Sequence, residues 1–433
     1  MGWGNGIGIG WATKRIDRYV SGLISAFKAR VLADGGVFEA EPCLVTILDS
    51  LQSKGLLKKA SLVVTPNAYK ANILYDVLPN TTLGDLSVVR ATTATRVNSA
   101  GLIESVANNI PRLDYTNSTC PSILVEPQRT NLLLRSQEFD NIYWVKTDTS
   151  ITANNVVAPD GTLTADTMVI SASTSRILPT TITGSGTYTV SCYVKRLTGT
   201  ANFQFRLVTD GANQIQNFTL TNDWTKLTFT VTAITSITQV QFRSGGGTGN
   251  IAIWGAQLEA GANATSYIKT EATTVTRNAD VINKTGISSL IGQTEGTIFA
   301  DVNIKRIGIP TRQISNLTSG TANFLGLAFL NTNVLRVTIR ANAGTQYNVS
   351  TSALPIGRYK LAGTYKAGEL KLYVNGVLIG TNTNASVSWS AALDRLNLDN
   401  SVLATDNFSD DINLVSHWKT VLTNEECINL TTI

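Results

Sequence analysis

Helical spacing of apolar residues is confined to the beginning of the chain. From Thr13 to Ala33 apolar side chains recur every three or four positions, and Asp34-Gly35-Gly36 ends this pattern. A second helix is predicted to begin near Pro42, a residue tolerated in a first helical turn, and to run to about Lys59. The first hundred residues are therefore the only substantially helical part that the sequence predicts.

Alternating strand patterns dominate the rest of the chain. Ser61–Thr65 predicts a strand, and Pro66-Asn67 predicts a turn. From about Tyr115 onward, short alternating segments are separated by Gly, Asn, Asp and Thr. Asn375-Gly376 predicts a type I′ hairpin, because both central residues of that turn need positive φ. The predicted strands are 187–195, 201–208, 225–231, 238–242, 250–254, 296–304, 324–330, 334–340, 357–365, 370–379 and 412–418.

The change of pattern divides the chain into units. At 433 residues the chain is too long for one ordinary hydrophobic core. The polar stretch Thr270–Asp280 is interpreted as a linker between two β regions. We predict a multidomain, mainly β protein, in which a small helical N-terminal anchor precedes two antiparallel β-sandwiches. The predicted units are an arm at 1–12, a helical or mixed anchor and connector domain at 13–114, and sandwiches at 115–272 and 280–433.

The first eleven residues, MGWGNGIGIGW, carry glycine at every even position. In an extended conformation, one face of this arm presents Trp3, Asn5, Ile7, Ile9 and Trp11, of which the four apolar residues are the candidates for anchoring. So many glycines are costly to order, so the arm is expected to become fixed only against a partner protein. A disordered terminus is the alternative, although two tryptophans and two isoleucines argue against a segment meant to stay in water.

The composition narrows the classes of function. The net charge of +5 is modest and spread along the chain, without a basic stripe interleaved with aromatics, so no nucleic-acid partner is expected. No apolar stretch reaches 18 residues, so no membrane insertion is expected. The N-terminus lacks the pattern of a signal peptide, which predicts a protein made in a cytoplasm.

Histidine and cysteine usage leaves little scope for metal or nucleophilic chemistry. His417 is the single histidine, and its place on the predicted last strand favours a structural role. The cysteines form no CxxC pair; three disulfide pairings are formally possible, and buried free thiols are the expectation. These cysteines are Cys43, Cys120, Cys192 and Cys427.

No catalytic residue, cofactor or metal is predicted. A glycan depolymerase needs two carboxylates facing a cleft, but Asp410 and Asp411 are adjacent and would point to opposite faces of a strand. The other candidate carboxylates, Glu369, Asp399 and Asp406, show no motif spacing and are interpreted as loop residues. Asp160, Asp166 or Asp399 could supply oxygens to calcium, but no spacing resembles a calcium loop.

Sugar binding without catalysis needs an aromatic side chain with amide or carboxylate partners in a concave surface. Tyr193, Trp254 and Gln257 are the candidates by their position on predicted strands. The alternative is that the two aromatic side chains are inward-facing core residues.

The segment Val89–Leu134 resembles the connector of fibre and spike proteins of tailed bacteriophages. The matching runs are ATRVN at 94–98, GLIE at 101–104, PRLDY at 111–115 and LVEPQRTNLL at 124–133. In that family the connector joins a particle-binding N-terminus to β-rich outer domains. The resemblance therefore implies a structural virion protein, a head or tail fibre or spike, that forms homotrimers.

The two β regions resemble known sandwich families. Residues 139–144, 159–162, 251–259 and 265–268 match the order and motifs of jelly-roll carbohydrate-binding modules. The hairpin at 373–377 and the ending at 412–426 resemble laminin-G or concanavalin A-like sandwiches. The implied partners are capsid or tail proteins for the arm and host-surface glycans for the sandwiches. The alternative function is a glycan-active enzyme (depolymerase) or a free carbohydrate-binding protein.

Overall fold

The computed structural model describes residues 17–116, 118–180, 184–209, 212–307, 311–398, 406–407 and 410–433. The arm residues Trp3, Ile7, Ile9 and Trp11 lie outside this part of the chain. The described residues form a mainly β protein with a small helical N-terminal part, as predicted. Among the residues described, no helix combines the length and apolar character needed to cross a lipid bilayer.

The helices follow the apolar spacing of the sequence. Helix α1 (Arg18–Ala33) is capped by Asp17, whose carboxylate accepts hydrogen bonds from the backbone of Tyr19 and Val20. Helix α2 (Glu41–Ser53) begins with proline in its first turn, which confirms the second predicted helix. Helix α3 (Asn424–Thr431) starts at a capping box formed by Thr423 and Glu426. Short 3-10 turns cover Leu57–Lys59 and Ser288–Leu290.

The strands are numbered in chain order. Before the first sandwich they are β1 (Val37–Phe38), β2 (Leu62–Lys70), β3 (Ile73–Leu78), β4 (Leu86–Val89), β5 (Ala94–Val97), β6 (Ile103–Val106), β7 (Leu113–Asp114), β8 (Ser122–Leu124) and β9 (Arg129–Asn131). The first sandwich contains β10 (Trp144–Thr147), β11 (Ile151–Val156), β12 (Ala165–Ile170), β13 (Arg176–Pro179), β14 (Gly184–Arg196), β15 (Phe203–Thr209), β16 (Ala212–Phe218), β17 (Thr225–Ser244) and β18 (Gly249–Ala260).

The remaining strands belong to the C-terminal part. They are β19 (Val275–Arg277), β20 (Val281–Lys284), β21 (Glu295–Ile304), β22 (Arg312–Thr318), β23 (Phe324–Phe329), β24 (Leu335–Arg340), β25 (Gln346–Ser350), β26 (Gly357–Lys366), β27 (Glu369–Val374), β28 (Val377–Asn382), β29 (Arg395–Asn397), β30 (Asp406–Asn407) and β31 (Asp411–Trp418). Asn375 and Gly376 have φ of 48° and 81°, which confirms the predicted hairpin between β27 and β28.

Strands from both ends of the chain share one sheet system, the frame. Strand β2 pairs with β31, β4 with β20, and β8 with β31, all antiparallel. One continuous core joins Leu62, Val88 and Ile123 to Ile298 and Val415. Residues of the predicted 13–114 and 280–433 domains therefore share one sheet system and one core, and the predicted boundary does not separate them. Local periodicity could not predict this, because it does not report pairing between distant strands.

The first sandwich is inserted into this frame. Its strands run in the order β10-β13-β17-β14-β18-β12-β11, with β15 and β16 added beside β17, and they enclose a separate apolar core. Strands β9 and β19 pair with each other, so the chain leaves the frame and returns to it at adjacent positions. This two-stranded neck and the segments beside it join the two sandwiches.

Two local predictions are wrong for the same physical reason. Pro66-Asn67 lies inside β2 rather than in a turn, and the Asn67 side-chain amide donates to the backbone carbonyls of Glu39 and Ala40. The supposed linker at 270–280 contains β19 and ends in Arg277 and Asp280, each only 1% exposed. Polar residues looked solvated in the sequence, but tertiary hydrogen bonds hold them in the interior.

The cysteine prediction is wrong in part. Cys43 on α2 and Cys120, just before β8, form a disulfide, whereas Cys192 and Cys427 are buried free thiols. The bridge spans 77 residues, a separation at which the sequence gives no indication of proximity. It fastens the helical part to the segment that leads into the neck.

A cluster of buried charges lies where the neck meets the frame. Glu126 accepts from both Arg112 and Arg277, at 2.7 and 2.6 Å. Asp280 pairs with Arg90 at 2.9 Å and also with Arg112. Burial alone would raise the pKa of Glu126, but Arg277 and Arg112 hold this pKa well below its usual value. We call Arg90, Arg112, Glu126, Arg277 and Asp280 the junction cluster.

His417 lies on β31, as predicted, and is fully enclosed between β2 and β21. Neither imidazole nitrogen has a hydrogen-bond partner within the described part of the chain. Burial lowers the pKa of His417 to about 3, because the imidazolium would lose its hydration without gaining a counter-charge. The side chain is therefore neutral at physiological pH.

Removing the shared carboxylate of the junction cluster should strongly destabilise the protein. Glu126→Ala leaves Arg112 and Arg277 buried without this partner, and we expect a loss of about 3–5 kcal/mol in the free energy of unfolding. Glu138→Ala, which removes an exposed pair with Arg135, should cost at most about 1 kcal/mol. Denaturant-induced unfolding measures both values, and equal losses would contradict the assigned role.

His417 should make stability depend on acidity. Its folded pKa of about 3 lies below the ordinary 6.5, so between these values only the unfolded chain binds the proton. The free energy of unfolding should therefore fall as pH decreases from about 6.5 towards 3. In His417→Leu the difference between pH 7 and pH 4 should be smaller than in the unaltered protein. Identical pH profiles from denaturant unfolding would refute this effect.

Candidate functional site

A cleft of 570 Å³ opens between the β5–β6 hairpin and the first sandwich. The hairpin supplies one wall, and Trp254 of β18 with the segment from Tyr267 to Arg277 supplies much of the other. The cleft therefore exists only because the segment that resembles a phage connector packs on the inserted sandwich. Its side chains include aromatic, amide, hydroxyl and carboxylate groups.

The aromatic wall is built from two packed rings. Trp254 and Tyr267 lie with their ring centroids 4.4 Å apart, and Trp254 donates from Nε1 to Thr164 Oγ1 at 3.1 Å. The Tyr267 hydroxyl bonds to Ser136 Oγ at 2.6 Å. Every polar atom of these two rings is thus fixed, and the wall is rigid.

The hairpin is held against this wall by backbone and apolar contacts. Thr95 donates from Oγ1 to the carbonyl of Tyr267 at 2.7 Å, and the amide of Ile103 donates to the carbonyl of Pro159 at 3.0 Å. Ile103 also packs in one apolar cluster with Trp254 and Tyr267. The cleft is therefore preformed rather than assembled by movement of the hairpin.

The polar lining presents groups suited to hydroxyl ligands. Glu104 accepts from Arg96 at 2.7 Å and from Asn98 at 3.0 Å. Burial opposes ionisation of Glu104, but the hydrogen bonds from Asn98 and Arg96 lower its pKa. Asn108 is exposed at the rim, and Gln137 is half-buried. The lining thus combines two almost fully buried aromatic rings with amides and an ionised carboxylate, a chemistry suited to a polyhydroxylated ligand.

The residues predicted for glycan binding are not exposed together. Gln257 is 1% exposed; its amide donates to Glu259 and its carbonyl accepts from the backbone of Ile268, so it is a core residue. Trp254 is also 1% exposed and reaches only the lining of the cleft. Tyr193 packs behind Trp254, with the ring centroids 5.6 Å apart, and does not line the cleft.

Sequence reasoning missed the polar half of the cleft. Glu104 and Asp160 lie in segments already singled out by resemblance, GLIE at 101–104 and PDGT at 159–162. Asn108 and Gln137 carry no local signal, because only tertiary packing brings them to the same opening. The resemblance motifs were therefore the sequence signal that pointed to Glu104 and Asp160, the carboxylates of the cleft.

The carboxylates considered for catalysis are engaged elsewhere. Asp410 pairs with Arg306 at 3.3 Å and with Arg312, and Asp411 pairs with Lys305 at 2.7 Å. Glu369 pairs with Lys371 and Lys366. Only the backbone of Asp406 is described, and Asp399 lies outside the described residues. Of the described side chains, Glu369, Asp410 and Asp411 do not line the cleft.

Oxygen ligands for a cation do not converge in the described part of the chain. No three His, Cys, Asp or Glu side chains meet there in a group able to hold a metal ion. Asp166 accepts from the backbone amides of Phe139 and Asn154, and its burial raises its pKa to about 6. Asp160 accepts from the backbone and hydroxyl of Thr162. Both carboxylates shape loops in this structure.

Comparison with protein families assigns the C-terminal sandwich. Residues 264–427 match the family model described as the concanavalin A-like lectin/glucanases superfamily. This match agrees with the laminin-G or concanavalin A-like fold expected for 280–433. It covers less than half of the chain. A comparison with curated proteins finds no match.

Solved structures similar to part of the chain include a carbohydrate-binding module of a Ruminococcus gnavus sialidase bound to α2,3-sialyllactose. That likeness has 19% identity and a TM-score of 0.30, over 34% of this chain and 87% of the module. A second similar structure comes from botulinum neurotoxin type C, whose cell entry depends on interaction with two ganglioside molecules. It has 13% identity and a TM-score of 0.29, over 34% of this chain and 38% of the toxin chain. A leech intramolecular trans-sialidase has 14% identity, a TM-score of 0.28, and coverage of 34% and 24%.

Proposed function

We propose that this protein is a structural component of a tailed-bacteriophage virion, a trimeric head or tail fibre or spike that attaches to host-surface glycans. The arm, with Trp3, Ile7, Ile9 and Trp11, docks on a capsid or tail protein. The sandwiches face outward and recognise the host surface. The virion assignment is supported by the resemblance of residues 89–134 to the phage connector.

The observation that carries glycan attachment is the preformed cleft. One side of this cleft is backed by the rigid, almost fully buried rings of Trp254 and Tyr267, which fix its shape. Asn108, Gln137 and the ionised Glu104 offer donors and acceptors for hydroxyl groups. The combination matches the usual anatomy of a small-ligand site, mostly apolar with a few fixed polar groups.

The same cleft favours binding over hydrolysis. A glycosidase general acid needs a carboxyl whose pKa is raised, whereas the pKa of Glu104 is lowered. The carboxyls with raised pKa, among them Asp76, which is buried beside Asp85, and Asp166 at about 6, do not line the cleft. An enzymatic role, the alternative function, predicts release of reducing ends from host polysaccharide, and we expect none.

The cleft can be tested by removing two polar side chains from its lining. In Asn108→Ala/Gln137→Ala, binding to isolated host-surface polysaccharide should weaken about fivefold to a hundredfold, because two neutral hydrogen bonds are lost. Asn331→Ala, an exposed position on the C-terminal sandwich, is the matched control and should bind normally. Isothermal titration measures these affinities. Unchanged affinity in the double variant would remove the cleft from the recognition surface.

Deletion of residues 2–11 tests the virion assignment. The shortened protein should fold, because described residues after position 61 supply a hydrophobic core to each sandwich, but it should be missing from purified particles. Trp3→Ser/Trp11→Ser should reproduce the loss, and Asn5→Ser should incorporate normally. Quantitative mass spectrometry of purified particles gives the copy number. A normal copy number after the deletion would refute anchoring through the arm.

A further inference from the structure

Three arginines lie close together on one face of the first sandwich, away from the cleft. Arg243 on β17 is directly opposite Arg176 on β13, and Arg206 on β15 is opposite Gln241, two residues before Arg243. In an antiparallel sheet, directly opposite residues point to the same side, as do residues two positions apart. The neighbours Phe242 and Ile177 point into the core. The three guanidinium groups therefore share the outward face.

Strand register extends this arrangement into a polar row. The row crosses five strands, which span about 19 Å at the usual strand spacing. Its members are Asn217, Gln204, Arg243, Arg176 and Thr147. We call this row, together with Arg206, the arginine face.

Within the described residues, no carboxylate pairs with these arginines. Arg206 donates from Nε to Asn213 Oδ1 at 2.8 Å, and Arg176 donates to the carbonyl of Thr174 at 3.2 Å. Arg243 donates to Gln241 Oε1 and to the carbonyl of Ser173, each at 3.3 Å. Its Nε is buried and has no partner in the described structure. All of these acceptors are neutral and leave the positive charge uncompensated.

The uncompensated charge is costly. Like charges directly opposite each other in a sheet destabilise it, and Arg176 with Arg243 is such a pair. Burial, then the charges of Arg206 and Arg176, lower the pKa of Arg243. An anion placed between the guanidinium groups would relieve this repulsion and supply the missing acceptors.

We propose that the arginine face binds an acidic saccharide, with a carboxylate or sulfate group held between Arg176 and Arg243. The planar guanidinium donates two parallel hydrogen bonds to either group. Gln204 and Asn217 stand beside the arginines in the same row and can bond sugar hydroxyls. The exposed Ile215 borders Arg206 across the β15–β16 pair and offers an apolar contact.

The surrounding chemistry favours a saccharide over a nucleic acid. A single-stranded nucleic-acid site combines a basic groove with aromatic side chains on which bases stack. The outward row instead places amides and a threonine beside the arginines, and its aromatic neighbours Phe203, Phe205 and Phe242 are buried in the core.

This site is separate from the cleft proposed above. None of its arginines lines the cleft, so the proposal goes beyond attachment through the cleft and does not require it. If variants show that one of the two sites does not bind saccharide, the other site can still be tested with its own variants.

The experiment measures binding of the full chain to dextran sulfate, to a uronate polysaccharide, and to their uncharged counterparts, dextran and the carboxyl-reduced polymer. Binding to at least one acidic polymer should exceed binding to its counterpart and should weaken with added salt. Arg176→Gln/Arg243→Gln should weaken that binding about tenfold or more, since charged hydrogen bonds are lost. Arg336→Gln, a half-buried strand arginine whose Nε donates to the hydroxyl of Ser350, is the matched control.

The double variant should unfold at the same temperature or higher, because the charge repulsion is removed and no ion pair with a described carboxylate is lost. If it fails to fold, Arg176→Gln alone serves, since its guanidinium contacts only the Thr174 carbonyl in the described structure. The cleft variant Asn108→Ala/Gln137→Ala should keep acidic-polymer binding. Equal binding to charged and uncharged polymers, retained binding in the arginine variant, or equal binding to single-stranded DNA would each overturn the proposal.

Discussion

The architecture depends on how buried charges are paired where the inserted sandwich meets the frame. Buried charges must be paired with opposite charges. Removing one partner leaves the other buried without compensation for its lost hydration. In the junction cluster, Arg90 and Arg112 come from the segment before the insertion, and Arg277 comes from the strand after it. The cluster is complete only when the chain has left the frame and returned. It therefore couples formation of the neck to formation of the frame.

That coupling also positions the cleft. Glu126 accepts from the backbone of Ser266, next to the wall residue Tyr267, and Arg277 itself lines the cleft. The β5–β6 hairpin is connected to the cluster on both sides, through Arg90 before it and Arg112 after it. The rigid wall and the hairpin are thus both positioned by contacts with the junction cluster. A preformed site follows from this, because neither side moves independently of the cluster.

Local patterns predicted the elements well, and tertiary relations poorly. The helices, the Asn375-Gly376 hairpin and the Thr423 capping box depend on residues near one another in sequence, so the sequence reports them directly. The pairing of β2 with β31, by contrast, joins residues about 350 positions apart. The alternation of apolar and polar residues within a strand does not indicate which distant strand it pairs with. The 270–280 segment was misinterpreted because charged side chains are normally exposed to solvent. Here Arg277 and Asp280 are buried and form ion pairs.

The candidate site shows the same division. Trp254 was found from its place on a predicted strand, but its indole is fixed by Thr164 and Tyr267, contacts that no spacing reveals. Gln257 was chosen for its amide, and the structure shows that a neighbouring carboxylate and a backbone amide already use that group. For the arginine face, the strand register was more informative than the residue types. Arg176 and Arg243 form a possible binding site only because the structure pairs their strands.

The neck has a consequence for how such a protein can change over generations. Because β9 and β19 are paired, the inserted sandwich begins and ends at neighbouring points on the frame. An insertion whose ends meet can be replaced by recombination with another module, provided that the paired strands are kept. A lineage could then acquire a different inserted sandwich in one genetic event while the frame, its disulfide and its helices stay as they are. Exchange points would fall just inside residues 132–274, between the paired strands β9 and β19, and a replacement would have to keep the contact of Ser266 with the junction cluster.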